Sequence, residues 1–249
     1  MQIKVIVPFP FAGEALARRE AQLPPELRTP GVRYDFVPVK NSCLAADSYY
    51  ELALLDAYVL EAGVSAEDEG YDAVVIETCS DSGLSALRSR LAIPVIGPGQ
   101  LQQHVAMVLG RRFSILTMWK RSVSPGKLTQ EYGTRPWLAS VRSADGELDV
   151  VNLLTGKEDV IERLVVEGRK AVEEDGADVI LLGSTTLYQA VPRLREALAV
   201  PVIDPGPLAI KMAELLVSLG LSHSKRAYHA PQVIQDEKLH SLMAASAPL

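Results

Sequence analysis

The sequence predicts an α/β protein with parallel sheets, and three observations predict it. Short apolar runs rich in Val and Ile alternate with stretches of helical spacing, the pattern of strands covered on both faces by helices. One such strand-and-turn block recurs later in the chain. With 249 residues, 48% hydrophobic and 22% charged, the chain is long enough to bury a full core, as one large domain or two smaller lobes.

The strand candidates are 2–7, 34–39, 73–77, 94–96, 113–117, 138–142, 178–183 and 201–203. Between them Leu52, Leu55, Val59 and Ala62 form one helical stripe, Leu84, Leu87 and Leu91 a second, and Ile161, Leu164, Val165 and Val172 a third. Residues 223–249 carry no such pattern and read as a loosely organised polar tail.

The repeat decides the organisation. Glu69-Gly70-Tyr71-Asp72-Ala73-Val74-Val75-Ile76 reappears without gaps as Asp175-Gly176-Ala177-Asp178-Val179-Ile180-Leu181-Leu182, 106 positions on. With one inserted residue, Ala92-Ile93-Pro94-Val95-Ile96-Gly97-Pro98-Gly99 matches Ala199-Val200-Pro201-Val202-Ile203-Asp204-Pro205-Gly206, and Leu101 falls on Leu208. A duplicated α/β unit packs its copies about a pseudo-two-fold axis, facing equivalent loops across a cleft, and ligands in such sheets bind beyond the carboxyl ends of strands. The expected lobes are 1–105 and 106–207, with 208–249 packing back on the first.

Composition narrows the partners. A net charge of -6 leaves no basic surplus for a phosphate backbone, so no nucleic acid is expected. No apolar run reaches the ~20 residues of a membrane helix. The opening Met1–Val7 reads as a first strand rather than a signal peptide, and the expected location is cytoplasmic. Cys43 and Cys79 are too few for a disulfide scaffold or a zinc site. His104, His223, His229 and His240 show no ligand spacing, so no metal is expected. Gly97-Pro98-Gly99 lacks the third glycine and the acidic residue on a following strand that a nicotinamide cofactor requires. A small molecule remains.

The two matched turns are the place to look for it. The first is Glu77-Thr78-Cys79-Ser80-Asp81-Ser82-Gly83-Leu84 and the second Gly183-Ser184-Thr185-Thr186-Leu187-Tyr188. Their hydroxyls suit the capping of their own helices, and equally suit holding a carboxylate or imide oxygen beside free backbone N–H groups. The offset pairs Thr78 with Ser184 and Cys79 with Thr185. A thiol at a helix N-terminus is expected to have a lowered pKa, against the plainer expectation of a small buried hydrophobe; Cys43 reads as structural. Ser80, Asp81, Thr185 and Tyr50 are candidate substrate contacts, and His104, Asp81, Glu77, Tyr49 and Tyr50 are the possible acid/base groups. Strand 2–7 ends at Pro8-Phe9 and its mate 113–117 at Thr117-Met118-Trp119, which are expected to rim the cleft.

Several segments together resemble the aspartate/glutamate/hydantoin racemase superfamily, the hydantoin and allantoin racemase branch most closely. They are Gly70–Ile76 leading into Asp81-Ser82-Gly83-Leu84, Ile93–Gly97, Leu109–Ser114, Gly176–Gly183 and Val200–Asp204. The resemblance implies two pseudo-symmetric Rossmann-like lobes with four-stranded parallel sheets, an active site between them, no cofactor and a homo-oligomer. It also implies a cysteine from each lobe facing the stereocentre, one thiolate removing the α-proton while the opposing thiol delivers another. Set on the family's Asp-Pro-Gly-Leu run without gaps, this chain puts Thr78 at the first cysteine position, one residue before Cys79, and Ser184 at the second.

Alcohols are poor bases for carbon acids, so Thr78 and Ser184 are expected to position a substrate, form an oxyanion hole or act as an activated nucleophile. Where the family often has Asn-Pro-Asn near its N-terminus, Val7-Pro8-Phe9-Pro10 implies a less polar substrate. The expected activity is a cofactor-independent racemase or epimerase acting next to a carbonyl or carboxylate of a hydantoin-, amino-acid- or malonate-like substrate, with Cys79 as the candidate thiol. The alternatives are a hydrolase or lyase that uses Thr78 and Ser184, by ring opening or decarboxylation, and a binding protein that kept the cleft and lost the chemistry.

Overall fold

The computed structural model describes residues 1–43, 46, 48–119, 122–144 and 158–244. They form two four-stranded parallel sheets. The first contains β1 (Gln2–Val7), β2 (Arg33–Pro38), β3 (Ala73–Ile76) and β4 (Val95–Ile96) in the order β2-β1-β3-β4. The second contains β5 (Phe113–Thr117), β6 (Leu138–Ser143), β7 (Val179–Leu182) and β8 (Val202–Ile203) in the order β6-β5-β7-β8. Every strand candidate forms a strand, with ends moved by a residue or two. Every residue of β3 and β7 is buried, which is why both are continuous apolar runs rather than alternating ones.

The duplication holds in the register. Val74 pairs with Val95 and Val75 with Ile96, as Ile180 pairs with Val202 and Leu181 with Ile203. Gly70 and Gly176 occupy equivalent positions with φ of +83° and +71°, a left-handed turn into the strand that a side chain would strain.

Nine α-helices cover the sheets among the described residues: α1 (Gly13–Glu20), α2 (Tyr49–Gly63), α3 (Leu84–Arg90), α4 (Pro98–Leu109), α5 (Ser124–Glu131), α6 (Glu158–Glu173), α7 (Val191–Ala197), α8 (Pro205–Ser218) and α9 (Asp236–Ala244). The three sequence stripes lie in α2, at α3 and in α6. α2 begins with a capping box, in which Ser48 Oγ accepts from Glu51 N at 3.3 Å and Glu51 Oε2 accepts from Ser48 N at 2.9 Å.

The helices that follow β4 and β8 join the two halves. Leu101 at the start of α4 packs in the core of the first sheet, but Val105, Ala106 and Met107 further along pack with Phe113, Ile115, Val179 and Leu181 of the second. Its counterpart α8 does the converse. Leu208 joins the second core, while Ala209, Ile210 and Ala213 lie with Ile3, Val5, Val75 and Ile96 of the first. The two helices also pack on each other.

The expectation of a loosely organised tail is corrected. Lys225 Nζ donates to the carbonyls of Arg88, Ser89 and Leu91 at 2.7, 2.9 and 2.5 Å, closing the C-terminal end of α3. His223 Nε2 accepts from Val95 N at 2.8 Å, and burial lowers its pKa to about 4. Arg90 pairs with Asp236 at 2.7 Å and His240 of α9 meets Glu61 at 2.9 Å. These partners are backbone carbonyls, one backbone N–H and single charges, so they leave no hydrophobic period to read. Residues 245–249 lie outside the described residues. Among the described residues no helix is long and apolar enough to cross a membrane, and no three His, Cys, Asp or Glu side chains are grouped to hold a metal.

Candidate active site

Both turns leave a buried strand with a hydroxyl at the second residue beyond its end. Thr78 and Ser184 are half-buried, and each is bonded along its own turn. Thr78 Oγ1 lies 3.0 Å from Ser80 Oγ, which lies 2.9 Å from Ser82 Oγ. Ser184 Oγ lies 2.7 Å from Thr186 Oγ1 and accepts from Thr186 N at 3.2 Å. The same hydroxyl-to-hydroxyl link, two residues apart, thus stabilises each turn. It keeps the two oxygens in fixed places, and where Ser80 and Thr186 donate these bonds, the Thr78 and Ser184 hydroxyls keep their own protons for a ligand.

Cys79 and Thr185, the next residues along, point across to the other lobe. Cys79 Sγ donates to Leu182 O at 3.5 Å, and Thr185 Oγ1 donates to Glu77 O at 3.1 Å. Gln102 Nε2 donates to Leu182 O at 3.0 Å and lies 3.7 Å from Cys79 Sγ. The first half therefore offers two side chains, Cys79 and Gln102, to the carbonyl that ends β7, and the second offers Thr185 to the carbonyl just beyond β3. Burial, followed by the charges of Asp81, Glu77 and Asp204, raises the Cys79 thiol well above its usual range. That is the reverse of the shift expected at a helix N-terminus. The reason is positional, since α3 has Gly83 as its N-cap, four residues later.

A buried charge network lies behind the turns. Arg19, on α1, donates through Nε to Glu77 Oε2 at 3.0 Å, through Nη2 to Glu77 Oε1, and again through Nη2 to Thr185 Oγ1 at 2.8 Å. Gln22 Nε2 adds a bond to Glu77 Oε1 at 3.0 Å. Glu77, a candidate acid/base group from sequence, is thus held as an ion-pair partner. Asp81 adopts a left-handed φ of +53° and accepts from Gly99 N at 2.8 Å, Gln100 N at 2.6 Å and Tyr132 Oη at 2.8 Å. It therefore caps α4 from outside that helix. A Cβ on Gly97 would lie 2.5 Å from Asp81 Oδ1, so glycine is required for this approach. Burial raises the Asp81 carboxyl to about 6, and burial followed by the Asp81 charge pushes the Tyr132 hydroxyl upward.

In the second copy Asp204 takes the place of Gly97 and stands at the N-cap of α8. Burial raises it to about 6 as well, and its Oδ1 is buried without a partner among the described residues. Arg19 and Asp204 were not among the sequence candidates. The Gly97/Asp204 mismatch within the repeat was the available signal for the second; Arg19, in a polar segment without periodicity, offered none.

The remaining candidates are dispersed. Ser80 and Asp81 line a cavity of about 250 Å³ together with Gly83 and with Lys127, Glu131 and Tyr132 at the end of α5. Pro8 is buried, with its carbonyl accepting from Ser42 Oγ at 2.7 Å. Phe9 stacks on Phe11 with ring centroids 5.4 Å apart. Thr117 is buried at the end of β5, its Oγ1 accepting from Trp119 N at 3.3 Å. Tyr50, 75% exposed on the first turn of α2, stands in solvent beside the exposed Tyr49. His104 is exposed on α4, its Nδ1 2.8 Å from Gln100 O.

The family model for Asp/Glu/Hydantoin racemase matches residues 11–213. A hydantoin racemase of Pseudomonas sp. (strain NS671) is 34% identical over 198 residues, which cover 79% of each chain. One from Rhizobium meliloti is 38% identical over 169 residues, covering 67% of this chain and 69% of its own. Among solved structures, allantoin racemase from Klebsiella pneumoniae superposes with a TM-score of 0.85 at 29% identity, covering 96% of this chain and 98% of that one.

Proposed function

Because the chain belongs to the Asp/Glu/hydantoin racemase family and is therefore a racemase-type enzyme, we propose that it inverts the carbon next to a carbonyl or carboxylate in a small hydantoin-, amino-acid- or malonate-like substrate. The substrate binds between the turns at 78–82 and 184–186. One observation carries the assignment of the site: of the two residue pairs that the repeat aligns, Cys79 and Thr185 are committed to hydrogen bonds between the lobes, which leaves Thr78 and Ser184 as the half-exposed pair.

When the α-proton of such a substrate passes to solvent water, which returns a proton to either face of the planar carbon, the bonding electrons move in between onto the neighbouring carbonyl oxygen. Donors already aimed at that oxygen lower the barrier without reorganising, and removing one costs about 10²–10³-fold in rate. Thr78 and Ser184 supply these donors, each oriented by the second hydroxyl of its own turn. Cys79 takes no part in proton transfer in this reading, because its thiol is both engaged and held protonated.

The test is incubation with hydantoins, amino acids and arylmalonates in deuterated water. The expected result is exchange of the α-proton for deuterium together with loss of optical activity, reduced about 10²-fold in both Ser184→Ala and Thr78→Ala. Ring opening or release of carbon dioxide, without interconversion of enantiomers, would overturn the racemase assignment in favour of a hydrolase or lyase. Binding of such compounds without any conversion would leave only a receptor for them.

A further inference from the structure

We propose that Arg19 is a positioning residue that fixes the spacing between the two hydroxyl-bearing turns, an inference that rests on reading those turns as the active site. α1 is a polar helix whose single buried residue is Arg19, at 1% exposed. Its guanidinium sits where the two turns meet. Glu77, which takes a two-armed bond from it, is the residue before Thr78; Thr185, which takes the second bond from Nη2, is the residue after Ser184. Thr185 Oγ1 then donates to Glu77 O. The result is a closed ring of bonds: guanidinium to carboxylate, carboxylate through its own backbone to carbonyl, carbonyl to hydroxyl, hydroxyl back to guanidinium.

The end of α1 adds further ties to both lobes. Gln22 Nε2 donates to Arg19 O at 2.7 Å as well as to Glu77, and Tyr188 Oη, in the second turn, donates to Arg18 O at 2.9 Å. A bond ring of this kind specifies distance more than it adds stability. Buried ion pairs are commonly replaceable by apolar side chains without loss of stability, and this one leaves Arg19 Nη1 buried without a partner among the described residues. What an apolar replacement would not supply is a directional link between residues 77 and 185. A shift of about 1 Å in a reacting group is enough to cost roughly 10²-fold in rate, so the link acts on the rate through Thr78 and Ser184 without itself touching substrate.

The informative variant is Thr185→Val, which removes the hydroxyl while keeping nearly the same shape. With the substrate found by the exchange assay, kcat falls tenfold or more while KM stays within about twofold, and Thr185→Ser restores kcat. Hydrogen exchange followed by mass spectrometry is the readout independent of activity. Amides of 77–80 and 183–187 exchange faster in Thr185→Val, with the outer strands unchanged. Arg19→Lys, which keeps the charge but loses the fork, gives the same pattern should the valine variant not fold. Wild-type protection of both turns in the folded variant would overturn the proposal even if no substrate is ever found. An inactive wild-type enzyme would instead count against the assigned function alone.

Discussion

A thiol and a hydroxyl perform the same task on the two sides of the pseudo-symmetric junction, and that equivalence says what Cys79 contributes. Its Sγ reaches Leu182 O as Thr185 Oγ1 reaches Glu77 O, so its role is to join lobes. Cys79→Ala removes a weak bond and a buried sulfur, and a loss of about 1–3 kcal/mol is expected chiefly from the cavity, since Gln102 Nε2 still donates to the Leu182 carbonyl. Cys79→Ser keeps a donor toward the same carbonyl and loses less. Both retain α-proton exchange within a few-fold of wild type, in contrast to Ser184→Ala. Thermal denaturation alongside the exchange assay separates the effects: a serine variant that folds normally but loses exchange 10²-fold would return the thiol to the chemistry. The pairing of the two turns was legible in the sequence because the 106-residue offset aligns them. The direction of each side chain was not, since adjacent residues on an extended strand end point to opposite sides. Thr78 and Cys79 differ by one step.

Between elements, the most consequential contact is the capping of α4 by Asp81, which belongs to a different segment. Two backbone N–H groups and the Tyr132 hydroxyl converge on this carboxyl, yet burial still raises it to about 6 from its unfolded value near 3.8. The folded protein therefore holds this proton more tightly than the unfolded chain does. Its contribution to stability is fully present below about pH 4 and is lost as the pH rises to about 6, roughly 3 kcal/mol across the window. Asp204 contributes a second fall over the same range. Glu61 and Asp175, whose carboxyls are lowered, act in the opposite sense. Asp81→Asn leaves all three in place, so the difference between the two proteins isolates Asp81. Urea midpoints at pH 4 and pH 7 are expected to differ less in the variant than in wild type, although its stability at pH 4 is lower by about 1–3 kcal/mol because the cap is impaired. An unchanged pH dependence would show that Asp81 is not the titrating group. Strands and apolar-striped helices were legible at this scale. α1 and α5 were not, for they bury chiefly Arg19 in one case and Ser124, Pro125, Leu128 and Thr129 in the other, and a period needs more apolar side chains than that.

For the molecule as a whole, the repeat makes two copies visible but not independent. α4 and α8 carry apolar positions that suit either sheet, and because the copies are alike, the pattern alone does not say which sheet each helix covers. In the fold each starts on its own sheet and continues onto the other. Cutting the chain after Gly110 would leave Ile3, Val5, Val75 and Ile96 of the first sheet without α8, and Ile115, Val179 and Leu181 of the second without α4. Full burial of such side chains is worth about 1.5–3 kcal/mol each. Four of them on one face amount to roughly 6–12 kcal/mol, as much as the whole net stability of an ordinary domain. Neither fragment 1–110 nor fragment 111–249 is therefore expected to unfold cooperatively by circular dichroism. Co-expressed, the two are expected to form one complex with a single transition, since every contact between the copies is regained at the cost of one association. Native-like cooperative melting of either fragment alone would mean that its sheet is sufficiently covered without the exchanged helix. The cleft would then lie between two domains free to move apart, rather than between faces of one folding unit.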